Sequence, residues 1–194
     1  MNKRIGLFGG TFDPIHFGHL SLAVDLYEKN DLDEVWVFPA GISPFKQDQN
    51  VTDAERRLEM TRLAVEPYPH FKVREDEVRR EGVSYAIDTV RLLLEEASEN
   101  AYSIFLGSDA AAGVSRWKEV DELVQLVDFF VGWRPGTDLD HSQLLAPLQK
   151  GITPTRALDI SSTEIRERFK KGLCSAHLLP EKVIDYIVKH QLYS

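Results

Sequence analysis

Short apolar segments alternate with longer segments of helical periodicity along almost the whole chain. Predicted strands span 5–8, 34–38, 71–73, 102–106, 128–133 and 157–160, and predicted helices span 17–29, 54–65, 85–97, 117–126, 162–171 and 180–190. This alternation indicates βαβ units, in which parallel strands form one sheet and helices cover both of its faces. The sequence therefore predicts an α/β fold with a mostly parallel sheet.

The loops that follow the strands are the candidate site, because ligands of such sheets bind beyond the carboxyl ends of the strands. The longest irregular stretches are predicted at 39–52 and 134–152. The first of these follows the second strand directly, so we expect it to be the active-site loop.

The composition limits the functions that this fold can serve. The chain has 194 residues, enough for one large core, and we expect a single domain over residues 1–194. Its formal net charge of −8 argues against general nucleic-acid binding, which needs a basic face. Cys174 is the only cysteine, which excludes an internal disulfide and favours a reducing compartment. No apolar stretch suits a signal peptide or a membrane span, so we expect a soluble cytoplasmic protein that binds neither membrane nor nucleic acid.

A glycine-rich turn and two histidines follow the first predicted strand. Gly9, Gly10 and Thr11 would let backbone N–H groups approach a phosphate ahead of a helix N-terminus. His16 and His19 lie three residues apart at the helix start and therefore share one face, from which both could donate hydrogen bonds to one anion. Gly18 between them would leave room for a triphosphate. Zinc is the alternative ligand, but no HExxH segment supplies the base that zinc hydrolases use.

A second candidate anion site lies near the other end of the chain. Ser161, Ser162 and Thr163 stand at a predicted helix start, where hydroxyl and N–H groups are available to an anion or simply cap the helix. Arg166 lies one turn further on and could reach the same anion. Lys46 in the 39–52 loop is a further candidate cation. Two such sites suit a polyphosphate better than a single phosphate.

Other candidates surround these two sites. Asp109 follows the fourth predicted strand and could bind a ribose hydroxyl or orient a metal ion, or it could cap the next helix. Tyr85, Trp117 and Trp133 are the aromatic side chains most able to stack on a flat ring, although most aromatic residues in a domain of this size belong to the core.

The two motifs together resemble those of a known enzyme family. Residues 10–19, GTFDPIHFGH, resemble the signature of the HxGH nucleotidyltransferases, and residues 160–166, ISSTEIR, resemble its C-terminal partner, about 140 residues away. The chain is most similar to the bacterial nicotinate-nucleotide adenylyltransferases. The supporting segments are EGVSYAIDTV at 81–90, LGSDAAAGVSRWKEV at 106–120, WRPG at 133–136 and the final LLPEKVIDYIVKHQLYS.

This resemblance implies a Rossmann-like fold and adenylyl transfer from ATP, with Mg²⁺, to nicotinate mononucleotide in NAD biosynthesis. It implies catalytic roles for His16, His19, Lys46 and Arg166. The implied ATP-binding residues are Gly9, Gly10, Thr11, Phe12, Gly107, Asp109, Ser161, Ser162 and Thr163. The implied acceptor-binding residues are Ser84, Tyr85, Ala86, Thr89, Trp117 and Arg134. A homo-oligomer is compatible with the sequence.

Two positions depart from the family pattern. The loop that usually reads Pro-Pro-His-Lys is Ser43-Pro44-Phe45-Lys46 here, so a histidine contact at position 45 is not carried over. The usual Ser-Tyr-Thr is Ser84-Tyr85-Ala86, which removes a hydroxyl next to the pyridine nucleotide.

Three alternatives stay open from the sequence. The acceptor could be nicotinamide mononucleotide or phosphopantetheine, although the segment 82–89 and Trp117 suit a flat ring better than a flexible arm. The chain could also be a nucleotide-binding module without turnover. The retention of His16, His19, Lys46, Ser162 and Arg166 argues against that module.

Overall fold

A parallel sheet of six strands organises the part of the chain that the structure describes. The computed structural model describes residues 2–46, 50–133, 141–156 and 158–194. The strands are β1 Arg4–Gly10, β2 Glu34–Pro39, β3 Phe71–Val73, β4 Ala101–Gly107, β5 Asp128–Trp133 and β6 Ile152–Pro154, in the spatial order β3-β2-β1-β4-β5-β6. Every neighbouring pair is parallel. The predicted α/β fold is therefore confirmed.

Helices cover both faces of this sheet. They are α1 Phe17–Lys29, α2 Ala54–Val65, α3 Asp76–Arg79, α4 Ala86–Glu96, α5 Ser108–Ala111, α6 Val120–Leu126, α7 Ala146–Lys150, α8 Ser162–Lys170 and α9 Glu181–Lys189. Short 3₁₀ turns occupy Val114–Arg116 and His141–Gln143. Among the helices of the described residues, none has both the length and the apolar content that crossing a membrane requires.

The alternation of side chains along β1 divides the interior into two cores. Phe8 points into the core that α1, α2, α8 and α9 share, whereas Ile5 and Leu7 point into the core beneath α4, α6 and α7. Because successive strand residues face opposite sides of a sheet, one short apolar strand can serve both cores. This explains why β1 is apolar at Ile5, Leu7 and Phe8 rather than alternating with polar residues.

The strand order reverses next to β1. Strands β2 and β3 extend from one side of β1, and β4, β5 and β6 extend from the other. The helices that follow β1 and β4 therefore pack on opposite faces of the sheet. A crevice opens between them, beyond the carboxyl ends of these two strands. Gly9 and Gly10 end β1 at this crevice, and Gly107 ends β4.

The last strand differs from its predicted position. The described residues 158–160 form no strand, and Ala157 lies outside the described residues; the sixth strand is Ile152–Pro154, at the end of a stretch predicted to be irregular. It has only three residues and pairs with β5 along one edge. Gly151, just before β6, allows the chain to approach the backbone of β5 closely, because a Cβ at this position would lie 1.7 Å from the carbonyl oxygen of Phe129. So short a strand leaves little periodicity in the sequence.

Candidate active site

A cleft of about 540 Å³ opens beyond the carboxyl ends of β1, β2 and β4. It brings together nine of the predicted site residues, namely Gly9, Gly10, Thr11, Lys46, Ser84, Tyr85, Ala86, Thr89 and Trp117. They come from the loops after β1 and β2, from the start of α4 and from the turn before α6. The cleft is therefore the place where the predicted nucleotide loop and the predicted ring-binding segment meet.

The two glycines at the end of β1 serve different purposes. A Cβ at Gly9 would meet no atom within 4 Å, so this position leaves open space in the cleft. A Cβ at Gly10 would lie 2.7 Å from the ring of Phe12, so a side chain there would displace that ring. The first glycine exposes backbone to a ligand, and the second allows the turn that follows.

His16 and His19 bind each other's backbone at the start of α1. The Nδ1 atom of His16 accepts the N–H of His19, and the Nδ1 atom of His19 accepts the N–H of His16, each with an N···N distance of 3.3 Å. His16 is the N-cap of α1, and only 4% of its surface is exposed. An Nδ1 atom that accepts a hydrogen bond has no proton, so each neutral ring has its N–H at Nε2. In this form each imidazole is a hydrogen-bond donor through Nε2.

The space expected between the two histidines is closed. Their rings stack with centroids 3.7 Å apart and planes inclined by 22°. A Cβ at Gly18 would lie 3.0 Å from Nδ1 of His16 and 3.5 Å from Ile160. The glycine therefore allows His16 to fold against the helix and the C-terminal motif to approach, instead of making room for a triphosphate. A polyphosphate would have to approach the Nε2 edges.

The second motif is attached directly to the first. The Ser162 hydroxyl donates to the carbonyl of Pro14 at 3.0 Å, and the Arg166 guanidinium donates to the carbonyl of Asp13 at 2.9 Å. Ser161 caps α8 by accepting the N–H of Glu164, and the Thr163 hydroxyl accepts a hydrogen bond from Arg166. The predicted hydroxyls thus have partners within the protein, and the first-turn N–H groups of α8 are the donors that its helical bonds leave available.

Three cations, Lys46, Arg57 and Arg166, lie around Asp13. Burial, followed by the positive charge of Arg166, lowers the pKa of Lys46, while the negative charge of Asp13 partly opposes the shift. Burial also lowers the pKa of Arg57, against the opposing charge of Asp13. Concentrated positive charge beside a cleft is what a polyphosphate requires.

Arg57 is a site residue that sequence reasoning missed. It is 2% exposed and donates to the carbonyls of Thr11 and Gly41 at 2.7 and 2.9 Å, and to the carbonyl of Thr52 at 2.7 Å. It therefore ties the loop after β1 to both ends of the loop after β2. An arginine in a charged helical segment such as AERRLEMTR gives no sequence signal for this role.

Glu77 was also missed. It lines the cleft at 7% exposure, where burial raises the pKa of its carboxyl group and the Thr89 hydroxyl donates to it at 2.8 Å. The Ser84 hydroxyl nearby accepts the N–H of Gly41 at 3.0 Å. The side chains of Ser84 and Thr89 thus support the wall of the cleft, whereas Tyr85 and Ala86 begin α4 beside it.

Several predicted residues do not line the cleft, among them His16, His19, Arg166 and the hydroxyl residues at 161–163. The ring of Phe12 is buried and meets His19 edge-on at 5.2 Å. Asp109 is exposed in the first turn of α5, and Gly107 is the N-cap of that helix. Arg134 lies outside the described residues. The departure at position 45 leaves a phenylalanine that is 55% exposed at the edge of the cleft.

The side chains that could serve as metal ligands determine how Mg²⁺ could bind. Among residues 2–46, 50–133, 141–156 and 158–194, no group of three or more His, Cys, Asp or Glu side chains is placed to hold a metal ion. Both carboxylate oxygens of Asp13 accept hydrogen bonds, from the Thr52 N–H and the Tyr193 hydroxyl. The Asp13 carboxylate is thus engaged within the protein, so Mg²⁺ would be held chiefly by the oxygens of a triphosphate and by water.

Comparison with known proteins agrees with this geometry. Residues 7–168 match the family described as cytidylyltransferase-like. Nicotinate-nucleotide adenylyltransferase of Bacillus subtilis is 40% identical over 191 residues, covering 98% of both chains. The probable enzyme of that name from Herpetosiphon aurantiacus is 41% identical, again over 98% of both chains.

A solved structure supports the fold independently. The Plasmodium falciparum nicotinic acid mononucleotide adenylyltransferase complexed with NaAD superimposes with a TM-score of 0.80 at 22% identity, covering 99% of this chain and 98% of that one. The family resemblance predicted from the two motifs is confirmed. This chain belongs to the cytidylyltransferase-like proteins and, among them, to the nicotinate-nucleotide adenylyltransferase family.

Proposed function

We propose that the enzyme transfers the adenylyl group of ATP to the 5′-phosphate of nicotinate mononucleotide, as a step in NAD biosynthesis. The products are nicotinate adenine dinucleotide and pyrophosphate. One observation supports the proposal most strongly: the hydrogen bonds of Ser162 and Arg166 to the Asp13–Pro14 segment join the C-terminal motif to the histidine motif beside the cleft. The relatives that cover nearly the whole chain bear the corresponding name.

The chemistry needs placement and charge neutralisation more than a covalent intermediate. An oxygen of the acceptor phosphate attacks the α-phosphorus of ATP, a P–O bond forms, and the bond to the β-phosphate oxygen breaks on the far side. His16 would donate its Nε2–H to the α-phosphate. His19, Lys46 and Arg166 would neutralise the departing pyrophosphate, and the N–H groups after β1 and at the start of α8 would add further donors. Mg²⁺, bound to the triphosphate, would supply additional positive charge there.

The acceptor would lie in the cleft against the start of α4. Tyr85 and Trp117 offer flat faces there, and Ala86 begins a helix of eleven residues whose N-terminal partial charge favours an anionic ring substituent. The side chains of Arg116 and Lys118 also line this part of the cleft. These features favour a pyridine with a carboxylate over one with an amide.

Pyrophosphate release from ATP and Mg²⁺ with three acceptors tests the function. We expect the highest kcat/KM with nicotinate mononucleotide, a lower value with nicotinamide mononucleotide, and no turnover with phosphopantetheine. Turnover with phosphopantetheine alone would refute the assignment. Binding of ATP without pyrophosphate release from any acceptor would favour a non-catalytic module.

Trp117 provides a test of where the acceptor binds. Replacing the indole by a methyl group removes one face of the proposed ring site, so we expect Trp117→Ala to raise the KM for nicotinate mononucleotide roughly tenfold, about 1.4 kcal/mol. The KM for ATP should change less than about twofold. Trp117→Phe retains an aromatic face and serves as the matched control. A rise confined to the KM for ATP would place the acceptor elsewhere.

We further propose that the chain acts as a single domain in the cytoplasm. Cys174, its one cysteine, is a free and exposed thiol, which suits a reducing compartment. A homo-oligomer stays a prediction that sedimentation of the purified enzyme can test.

A further inference from the structure

Tyr193, close to the C-terminus, reaches back to the loop after β1. Its hydroxyl donates to Oδ1 of Asp13 at 2.7 Å, across 180 residues of sequence. Asp13 is only 3% exposed, so this bond is made away from bulk water. Tyr193 has a φ of 65°, in the left-handed region that aromatic residues seldom adopt. Contacts of its side chain, rather than local backbone preference, therefore account for its position.

The side chain of Tyr193 also packs among residues of the interior. Its ring centroid lies 6.2 Å from that of Phe169 on α8, and its hydroxyl lies 4.0 Å from the sulfur of Met60 on α2. These contacts hold the ring in place while its hydroxyl donates to Asp13. Burial and the negative charge of Asp13 raise the pKa of Tyr193, so the hydroxyl keeps its proton and remains a donor over the working pH range.

Asp13 in turn contacts two parts of the proposed triphosphate site. Its Oδ2 accepts the N–H of Thr52 at 3.2 Å, and its carbonyl accepts a hydrogen bond from Arg166 at 2.9 Å. Thr52 is the point at which the loop after β2 returns to α2, and its carbonyl is bound by Arg57. One aspartate thus connects the C-terminal segment, the loop that contains Lys46 and the helix that contains Arg166.

We propose that Tyr193 is a positioning residue for adenylyl transfer: by holding the Asp13 carboxylate in place, it keeps Asp13 from pairing with the cations that the triphosphate of ATP must engage. This inference builds on the proposed function. The carboxylate acts on the charges of Lys46 and Arg57, and Arg166 is hydrogen-bonded to the carbonyl of the same residue. Without the Tyr193 hydroxyl, Oδ1 would be buried without its donor, and a rotation towards Lys46 or Arg166 would restore a partner. That rotation would place a negative charge in competition with the triphosphate.

Tyr193→Phe tests the inference because it removes one hydroxyl and keeps the ring. We expect kcat/KM for ATP to fall about tenfold, while the KM for nicotinate mononucleotide changes less than about twofold. Tyr186→Phe is the matched control, since Tyr186 is a half-buried tyrosine on the neighbouring α9 whose ring lies against His190. This control should keep the kinetics of the unmodified enzyme. Equal losses for both substrates in Tyr193→Phe, or none, would overturn the positioning role.

A double-mutant cycle shows whether Tyr193 acts through Asp13. Asp13→Asn removes the negative charge, so adding Tyr193→Phe to it should cost less than about twofold further in kcat/KM for ATP. Independent, additive losses would contradict the proposal. Urea unfolding of each variant separates a general loss of stability from the expected effect on ATP.

Binding of α,β-methylene-ATP in the absence of an acceptor separates this inference from the proposed function. We expect Tyr193→Phe to weaken that binding about tenfold even if the acceptor assignment is wrong. Unchanged affinity would overturn the inference, whatever acceptor the enzyme uses.

Discussion

His16 and His19 have a structural role at the start of α1, and the proposed mechanism gives the same two rings a chemical role. Each Nδ1 atom accepts the backbone N–H of the other residue, so in the proposed mechanism Nε2 is the nitrogen that donates to phosphate. The spacing of three residues was enough to predict a shared face. It could not predict the reciprocal cap or the stacking, because both depend on the extended backbone of His16 before the helix.

Substitution of His16 separates these two tasks. We expect His16→Ala to lower kcat on the order of 10²-fold through loss of the Nε2 donor, and to lower the free energy of unfolding by about 1 kcal/mol through loss of the cap. His16→Asn offers an oxygen to the N–H of His19 and should restore most of the stability without restoring kcat. Steady-state rates and urea unfolding measure the two effects. Wild-type turnover in His16→Ala would show that this imidazole has no part in the chemistry.

The loops that form the site are ordered by the helices behind them. The limits of α1 and α2 agree with their predicted limits because apolar spacing and the Asp53 cap mark them in the sequence. Helix α4 begins at Ala86, one residue after the predicted start, since Tyr85 is its N-cap and the Ser84 hydroxyl binds the loop after β2. Contacts between loops distant in sequence, such as those of Arg57, leave no periodic signal.

Substitution of Arg57 tests whether its hydrogen bonds order the loops after β1 and β2. Arg57→Met keeps much of the volume but leaves the carbonyls of Thr11, Gly41 and Thr52 without this donor, so we expect a loss of about 3–5 kcal/mol in the free energy of unfolding. Arg56→Met, at the half-buried neighbouring position, should cost less than about 1 kcal/mol. Urea unfolding at pH 7 measures both. Equal stabilities of the two variants would show that the bonds of Arg57 do not order the loops.

At the scale of the whole molecule, the alternation of strands and helices predicted the parallel sheet but not its strand order. The reversal beside β1 depends on which face each connecting helix packs against, and this follows from cores assembled across the entire chain. The two motifs indicated that both chain ends meet at one site. The contact of Tyr193 with Asp13 could not be predicted, because neither periodicity nor the resemblance of the final segment assigns a partner to that hydroxyl.

The carboxylate at the start of β2 contributes to how the stability of the molecule responds to acid. Glu34 begins β2 and accepts hydrogen bonds from Lys3, Lys72 and the Trp36 indole, which outweigh its burial and lower the pKa of its carboxyl group to about 2. A pKa below that of the unfolded chain means that the carboxylate stabilises the fold at neutral pH. This contribution is lost as the pH falls from about 5 towards 2.

Glu34→Gln should therefore lower the free energy of unfolding by about 1–3 kcal/mol at pH 7, since the lysine partners are half exposed and partly screened. The difference from the unmodified protein should shrink steadily between pH 5 and pH 2. Urea unfolding across this range provides the measurement, with the exposed Glu28→Gln as control. A difference that is the same at pH 7 and pH 2.5 would contradict the pKa of Glu34.

The hydrogen bond between Tyr193 and Asp13 also has a consequence for synthesis of the chain, because it joins residues that are translated early and late. A ribosome that has translated as far as Arg166 has already supplied both histidines and every cation around Asp13. The nascent chain still lacks the hydroxyl that holds the aspartate in place. We expect the affinity for ATP to reach its full value only after Tyr193 has left the exit tunnel, because the aspartate is held in place only from that point.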